Sequence, residues 1–549
     1  MLDEQKVDIS GAESQRQAED TGSDEAGRQG RTSKRLRRYC PACFAQEAWG
    51  RAVNQGPDVI VCADGNRQLR RFRGGVETTP FYAPEIFISS EVVDAVGEDM
   101  ARLRVSRPAN HTAARLSAEA LERCKKSFKV ADEDAALVNE KLFDPTGVVV
   151  LLCRHDIPLL ACDITTPGEQ QKYVVAMLLQ LLKELPKAAT VGLLYDIGCQ
   201  LDHSCRLYGY LGAALPRIIM GCSVLHAYGH EWACQVAYNP RRREGFGLSD
   251  GEGSERVWSR TRREIPILRR ADKYRRMMAL DRKFRHCGET MKENLGRWFN
   301  QKFKLLALHR HRSDRLIQDS GMSVAELAEQ HQLQVEQPHS ELMKKGEQLF
   351  TELHIEQAFP EFRGVSSRFL HFLMLARQEK LNIRERIIGH MWELARLQRA
   401  RGGGREPLGT KLRDQILRGY GPRWNTTQAA IRRYNGYIDE LEKHFNPAWN
   451  IPLPLKLNPD RLESPTEDHH LLDDVWWPAV QPPPAWVTNE DVRHGVTGWL
   501  LKARCNEEQH RLEREADNVV RWWMEERQAL HQAIARCSST SLPAGQPCS

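Results

Sequence analysis

Thr190-Val191-Gly192-Leu193-Leu194-Tyr195-Asp196-Ile197 is a short apolar run that ends on a carboxylate. Its length and β-branched, aliphatic content predict a buried strand. Pro57-Asp58-Val59-Ile60-Val61-Cys62-Ala63-Asp64 reads the same way and also ends on an aspartate. Further on, the glycine-rich stretch 245–259 delivers Glu252 and Glu255 to the start of a long basic helix, which Ser254 or Asp250 can cap. Two aspartates at strand ends and a glutamate on a later helix are the parts of a two-metal phosphoryl-transfer site. Taken singly, each aspartate reads equally well as a strand-end turn cap.

Outward from these strands, the β-branched run 146–153 predicts another strand, and 158–162 returns after the polar turn Arg154-His155-Asp156. Residues 68–72 are placed as a hairpin partner of the first strand across Gly65-Asn66. Thr166-Pro167-Gly168-Glu169 signals a helix start, and apolar spacing from Tyr173 to Leu182 supports a helix over 168–184. Ile218-Ile219-Met220 gives one more strand. Strands alternating with helices predict a mixed α/β sheet with helices on its faces.

Around this core, residues 1–38 are polar and without apolar periodicity, and are expected to be a disordered tail. Residues 39–56 form a short Cys-x-x-Cys segment. Residues 57–300 are expected to form a catalytic domain with a helical insertion at about 85–143. A helical region follows over 301–446, a proline-rich connector over 447–488, a last helical segment over 489–536 and a tail over 537–549.

A hydrophobic fraction of 41% with 28% charged residues describes a soluble globular chain. No apolar run is long enough to span a membrane, so no membrane partner is expected. The 14 irregularly spaced cysteines point to a reduced, intracellular protein rather than a disulfide scaffold. Net charge is only +6, but residues 256–312 hold 18 Lys/Arg against 5 Asp/Glu. Aromatics interleave this basic stretch, which suits a phosphate backbone. Arg256, Arg260, Arg262, Arg263, Arg269 and Arg270 are the candidate DNA contacts. The alternative is a solvated helical face. Lys34-Arg35-Leu36-Arg37-Arg38 is a weak nuclear address.

Two groups have zinc-ligand chemistry. Cys40 and Cys43 form a Cys-x-x-Cys pair, half of a structural site, with Cys62 the only cysteine near in sequence. Two buried thiols in a turn are the other reading. His226, His230 and Cys234 recur at helical spacing, so one helix face would carry all three, with Cys222 as a possible fourth ligand. A packed polar helix beside the active site is the alternative.

Several blocks together resemble the Kyakuja–Dileera–Zisupton (KDZ) transposases of eukaryotic DNA transposons. They are Cys-Pro-Ala-Cys-Phe (40–44), Asp-Gly-Asn-x-x-Leu-Arg-Arg-Phe (64–72), Cys-Arg-His-Asp-Ile-Pro (153–158) and Thr-Pro-Gly-Glu-Gln-Gln-Lys-Tyr (166–173). They continue with Tyr-Asp-Ile-Gly-Cys (195–199), His-Ala-Tyr-Gly-His-x-x-x-Cys-Gln (226–235) and the stretch 245–259. The resemblance implies an RNase H-like fold with a DDE triad, in which Asp64 and Asp196 are the two aspartates. Ser254-Glu255-Arg256-Val257-Trp258-Ser259 is similar to the glutamate block of the related hAT transposases, which favours Glu255 over Glu252. His226, His230 and Cys234 are similar to a Cys/His motif that several such transposases carry. The single Cys-x-x-Cys pair departs from the larger cysteine clusters common in the family.

The expectation is therefore a transposase that cleaves transposon ends and transfers strands with two Mg²⁺ or Mn²⁺ ions held by Asp64, Asp196 and Glu255. Its partners would be double-stranded DNA and further copies of the chain, and its location the nucleus. Two rivals are a domesticated or decayed transposase that binds DNA without catalysis, and a zinc hydrolase on His226, His230 and Cys234 with Glu231 adjacent.

Overall fold

The computed structural model describes residues 30–74, 79–106, 142–227, 230, 232–336, 362, 364–400, 410–449, 451, 453–459 and 485–539. Five strands form one mixed sheet: β1 (Val59–Asn66), β2 (Gly147–Cys153), β3 (Pro158–Ile164), β4 (Val191–Tyr195) and β5 (Ile218–Gly221). Their order is β3-β2-β1-β4-β5. β2 runs antiparallel to β1 and β3, whereas β1, β4 and β5 are parallel. The connections dictate this. A tight turn joins β2 to β3, while helix Gly198–Tyr208 makes the crossover that a parallel β4-to-β5 link requires.

Alternation along the strands divides the core in two. Val59, Val61 and Ala63 of β1 and Val149, Leu151 and Cys153 of β2 face helix Gln171–Glu184, which buries Tyr173, Met177 and Leu181. Ile60 and Cys62 with Val148, Val150 and Leu152 face the opposite way, toward Trp258 and Phe284. Both faces are covered, which is why β2 and β4 read as unbroken apolar runs. At the start of the sheet, the buried Asp58 carboxylate accepts hydrogen bonds from Gly50 N (2.7 Å) and Thr190 N (2.9 Å), tying the entrance of β1 to that of β4.

The expected hairpin partner of β1 is corrected. Residues 67–69 form a 3₁₀ turn, capped by Asn66, whose side chain accepts from Gln68 N at 2.8 Å. The antiparallel neighbour of β1 is β2, across the insertion. The tail expected to be disordered through residue 38 contains helix Lys34–Tyr39, capped by Ser33 and anchored by buried Leu36. Arg35 pairs with Glu184 at 2.5 Å, so a strongly charged sequence still docks. Of the expected insertion, Ser90–Ser106 is helical, and 107–141 lie outside the described residues.

The helix after the glutamates is not one long rod. It breaks into Gly253–Thr261, a 3₁₀ turn Arg262–Glu264, Ile265–Leu268 and then Lys273–Glu293. Proline at 266 and the cap Asp272, whose carboxylate accepts from Tyr274 N and Arg275 N, punctuate it. The boundary expected at residue 300 falls inside helix Leu295–Asp319, which packs along the C-terminal helix Glu490–Ser539. The C-terminal helix folds back on the N-terminal part of the chain: Asn518 Nδ2 donates to Ala42 O and Arg511 Nη1 to Pro57 O, both at 2.9 Å. Helices Ser367–Ala400 and Thr410–Lys443 pair around a separate core that includes Phe369, Leu373, Ile431 and Tyr434. Most of the expected connector, including Trp476 and Trp477, lies outside the described residues. No helix among the described residues is long and apolar enough to cross a membrane.

Candidate functional site

Strand register brings the two aspartates together. Ala63 of β1 pairs with Tyr195 of the parallel β4, so Asp64, still within β1, and Asp196, just past β4, come next on neighbouring strands. Asp64 follows Ile60 and Cys62 in the alternation and faces helix Gly253–Thr261. Trp258 on that helix donates its indole N–H to Asp64 Oδ2 at 2.8 Å. Arg256 adds a second anchor, reaching Asp156 (2.5 and 2.7 Å) and Asp250 (2.9 and 3.1 Å). Glu255 immediately precedes Arg256, in the first turn of the helix.

The turn before the helix explains the glycines. Gly251 has φ +76°, and a Cβ there would meet Leu194 Cβ at 2.8 Å, so the chain passes hard against β4. Neither expected cap is used. Glu252 occupies the N-cap position with no side-chain cap bond, Ser254 lies buried inside the helix, and Asp250 accepts from Glu252 N at 3.0 Å.

A further carboxylate joins the group. Glu169 Oε1 accepts from the Tyr195 hydroxyl at 2.7 Å. Gly65, next to Asp64, leaves it room, since a Cβ at that glycine would lie 2.0 Å from Glu169 Oε2. Sequence reasoning passed over Glu169 as part of a helix-start signal. The available hint was an acidic residue in a turn beside a predicted strand pair.

Burial and mutual repulsion shift these groups. Burial pushes the Asp64 carboxyl well above its usual range, and the charges of Asp196, Glu169 and Glu255 push it further. Burial also raises Asp196, as do Glu252 and Glu255, against the lowering effects of His226 and Ser223. Burial takes Glu169 up to about 7, opposed by the Tyr195 bond and reinforced by Asp196. Glu255 thus acts on both aspartates. Glu252 acts on Asp196 but is tethered by Leu225 N, which donates to its Oε1 at 2.9 Å.

His226 belongs to this acidic group and not to the thiols. Its Nε2 lies 3.1 Å from Asp196 Oδ2, and its Nδ1 lies 3.0 Å from Ser223 Oγ. Burial lowers its pKa, but Asp196 and Glu252 outweigh that and raise it to about 10. The expected face of His226, His230 and Cys234 is therefore corrected. The chain forms separate helices Val224–Ala227 and Trp232–Tyr238, which breaks the i, i+4, i+8 geometry.

His230 instead meets Cys199 and Cys222, and the three ligand atoms lie within 4.8 Å of one another. Cys234 is buried in the same small cluster of side chains but is not one of these three. Glu231 lies outside the described residues. Cys40 and Cys43 meet Cys153 and His155, again within 4.8 Å and all buried. Cys62 takes no part. Both groups have donors that could hold zinc.

The basic stretch splits into internal and outward parts. Arg256 is committed to Asp156 and Asp250. Arg276 is fully buried, bound to Asp163 at 2.7 Å and to Leu69 O at 2.6 Å. Arg260, Arg262, Arg263 and Arg270 are exposed, and Arg269 is half-buried. Arg269, Arg270 and Arg275 line an open groove of about 970 Å³ with Phe72 and Ile267.

Residues 57–287 match the family model described as KDZ, Kyakuja-Dileera-Zisupton transposase, as the motif blocks had led us to expect. The match contains Asp64, Glu169, Asp196, Glu252 and Glu255, and leaves Cys40, Cys43 and the C-terminal helix outside. No curated protein and no solved structure matches the chain significantly.

Proposed function

We propose that this chain, whose residues 57–287 match the KDZ transposase family, is a DDE-type DNA transposase with an RNase H-like core. The reading rests above all on one observation: Asp64 and Asp196 lie on neighbouring strands with their carboxyls raised by burial, and the charge of Glu255, on the helix that faces Asp64, raises both further. Repulsion of this kind is relieved by a multivalent cation, and hard oxygen donors suit Mg²⁺ or Mn²⁺. The strand order β3-β2-β1-β4-β5, antiparallel through β1 and then parallel, supports the RNase H-like assignment.

Asp64, Asp196 and Glu255 would hold two ions, which when bound supply an activated water or 3′-hydroxyl and stabilise the leaving oxygen of the scissile phosphodiester. The chain's own groups do the positioning. Trp258 fixes the rotamer of Asp64, and Ser223 holds Asp196 through a 2.6 Å hydrogen bond. His226 keeps its proton toward Asp196 while no metal is bound. Tyr195 orients Glu169 at the edge of the site. Glu255 is preferred over Glu252 because Glu252 already serves the backbone of the 223–227 turn.

The substrate is double-stranded DNA, with the exposed Arg260, Arg262, Arg263 and Arg270 facing its phosphates and the nucleus as the place of action. The test is Mn²⁺- or Mg²⁺-dependent nicking of the element's terminal DNA. Nicking by the wild type and by Glu252→Gln, together with its loss in Asp196→Asn and Glu255→Gln, supports the triad. Nicking that survives Glu255→Gln but not Glu252→Gln moves the glutamate. Failure of a well-folded wild type to nick, with DNA still bound, overturns the catalytic reading.

A further inference from the structure

The Cys-x-x-Cys pair finds its other half across the fold. Cys40 and Cys43 come from the N-terminal segment, Cys153 ends β2, and His155 follows in the turn to β3. His155 Nδ1 lies 3.2 Å from Cys43 Sγ, 3.5 Å from Cys40 Sγ and 4.0 Å from Cys153 Sγ. Its other nitrogen, Nε2, lies 3.4 Å from Glu515 Oε2 on the C-terminal helix. A histidine with one nitrogen turned to soft donors and the other to a carboxylate has the arrangement that orients a zinc ligand. Trp298 covers the ring with centroids 4.4 Å apart, and all four donors are buried. Three thiols and one imidazole, closed to solvent, form the donor set of a tetrahedral structural site.

We propose that Cys40, Cys43, Cys153 and His155 bind a structural Zn²⁺ ion, and that this ion fixes the turn Arg154-His155-Asp156 as the joint between the C-terminal helix and the helix carrying Glu255. The three residues of the turn point three ways. Arg154 pairs with Glu508 and, at 3.1 Å, with Glu515 on the C-terminal helix. His155 is the ligand. Asp156 takes the bidentate contact from Arg256, the residue after Glu255. Asp156 also has φ +61°, a left-handed conformation that surrounding structure must hold in place.

The C-terminal helix continues the joint. Glu507 accepts from Gly245 N (3.1 Å) and Gly247 N (3.0 Å), and Glu508 from Leu248 N (3.1 Å). These bonds hold the loop that leads into the glutamate helix. Two of the four ligands, and Glu515, lie outside residues 57–287, so the family-matched region alone cannot complete the site. Binding of the ion needs no catalytic assignment; only its effect on Glu255 rests on the function proposed above.

The test measures zinc by elemental analysis and affinity by competition with a chromophoric chelator on the full chain. Cys40→Ser/Cys43→Ser is expected to lose about one zinc per chain relative to wild type, whereas Cys222→Ser retains it. Glu515→Gln keeps every ligand and is expected to weaken zinc binding about 10- to 100-fold, while Glu508→Gln, which alters contacts to Arg154 and Leu248 N but none to a ligand, leaves it unchanged. Removing zinc is expected to speed amide exchange across 253–261. Equal zinc in the wild type and the double cysteine variant overturns the site. Unchanged affinity in Glu515→Gln overturns the role of Glu515, and unchanged exchange overturns the coupling. Lost nicking with zinc and exchange intact instead counts against the catalytic reading.

Discussion

Two clusters of ionisable side chains sit on the same sheet and differ in nearly every property that selects a metal. At the C-terminal edge of β1 and β4, Asp64, Asp196, Glu169 and Glu255 offer oxygen and remain partly open to solvent. At the end of β2, Cys40, Cys43, Cys153 and His155 offer sulfur and nitrogen and are sealed. In the first group burial, and then mutual repulsion, raises the carboxyls of Asp64, Asp196 and Glu169. The second is tied down by a carboxylate on one side and an indole on the other. The difference teaches that openness and donor softness go together: a site that must admit a phosphodiester keeps an edge and hard ligands, and a site that only holds chain segments closes over soft ones. Asp156 and Arg256 join them, so the closed cluster can set the geometry of the open one.

The sharpest way to break this contrast is to remove oxygen donors. Asp64→Asn or Asp196→Asn is expected to lower metal-dependent nicking by at least about 10³-fold, equivalent to about 4 kcal/mol of barrier. Bound zinc should be unchanged. A rate within tenfold of the wild type, read by single-turnover cleavage, rejects the assignment of that aspartate.

Removing the soft metal should act on the fold instead. Stripping zinc with a thiophilic chelator is expected to lower Tm by about 10 °C, since a structural zinc contributes several kcal/mol. Withholding Mg²⁺ should move Tm far less. Scanning calorimetry on the two preparations checks the ordering, and equal shifts erase the contrast.

A smaller effect concerns pH. Glu169 stands at about 7 in the folded chain, above the ordinary glutamate value. A raised carboxyl binds its proton more tightly when folded, so its contribution to stability is full below about pH 4.3 and is lost as pH rises through about 7. Without divalent metal, the wild type should lose on the order of 1–3 kcal/mol across that window, and Glu169→Gln should flatten the profile. Urea unfolding at a series of pH values measures this, and parallel profiles for the two proteins contradict it.

The smallest effect lies on the surface. Arg263→Ala or Arg270→Ala should weaken DNA binding uniformly across sequences and reduce the salt slope by about 1. Arg256→Ala should instead disturb Glu255, because Arg256 is held by Asp156 and Asp250. Filter binding at several salt concentrations separates the two classes.

What could be read from sequence follows from how local each signal is. The runs that lead up to Asp64 and Asp196 are continuous and apolar, and both read as buried strands, although β1 continues past Asp64 to Asn66. That Glu255 opens a helix was legible from its block. Cys153 and His155 were not linked to Cys40 and Cys43, because |i−j| is 112 between Cys43 and His155 and only sheet topology brings them together. His226 was misplaced because helical spacing was assumed across a segment that forms two separate helices. Arg256 was read as a DNA contact, yet its partner Asp156 lies in the turn before β3, out of reach of any local pattern; Arg276, in the same basic stretch, is likewise held by Asp163 on β3.

The most direct measurement is Mn²⁺ titration of the zinc-loaded full chain, followed by electron paramagnetic resonance, for the wild type and for Asp64→Asn/Asp196→Asn. The account predicts that the wild type takes up Mn²⁺, that the double variant does not, and that both keep the same zinc. Equal Mn²⁺ uptake by the two proteins would contradict the assignment of the acidic sheet edge as a divalent-metal centre.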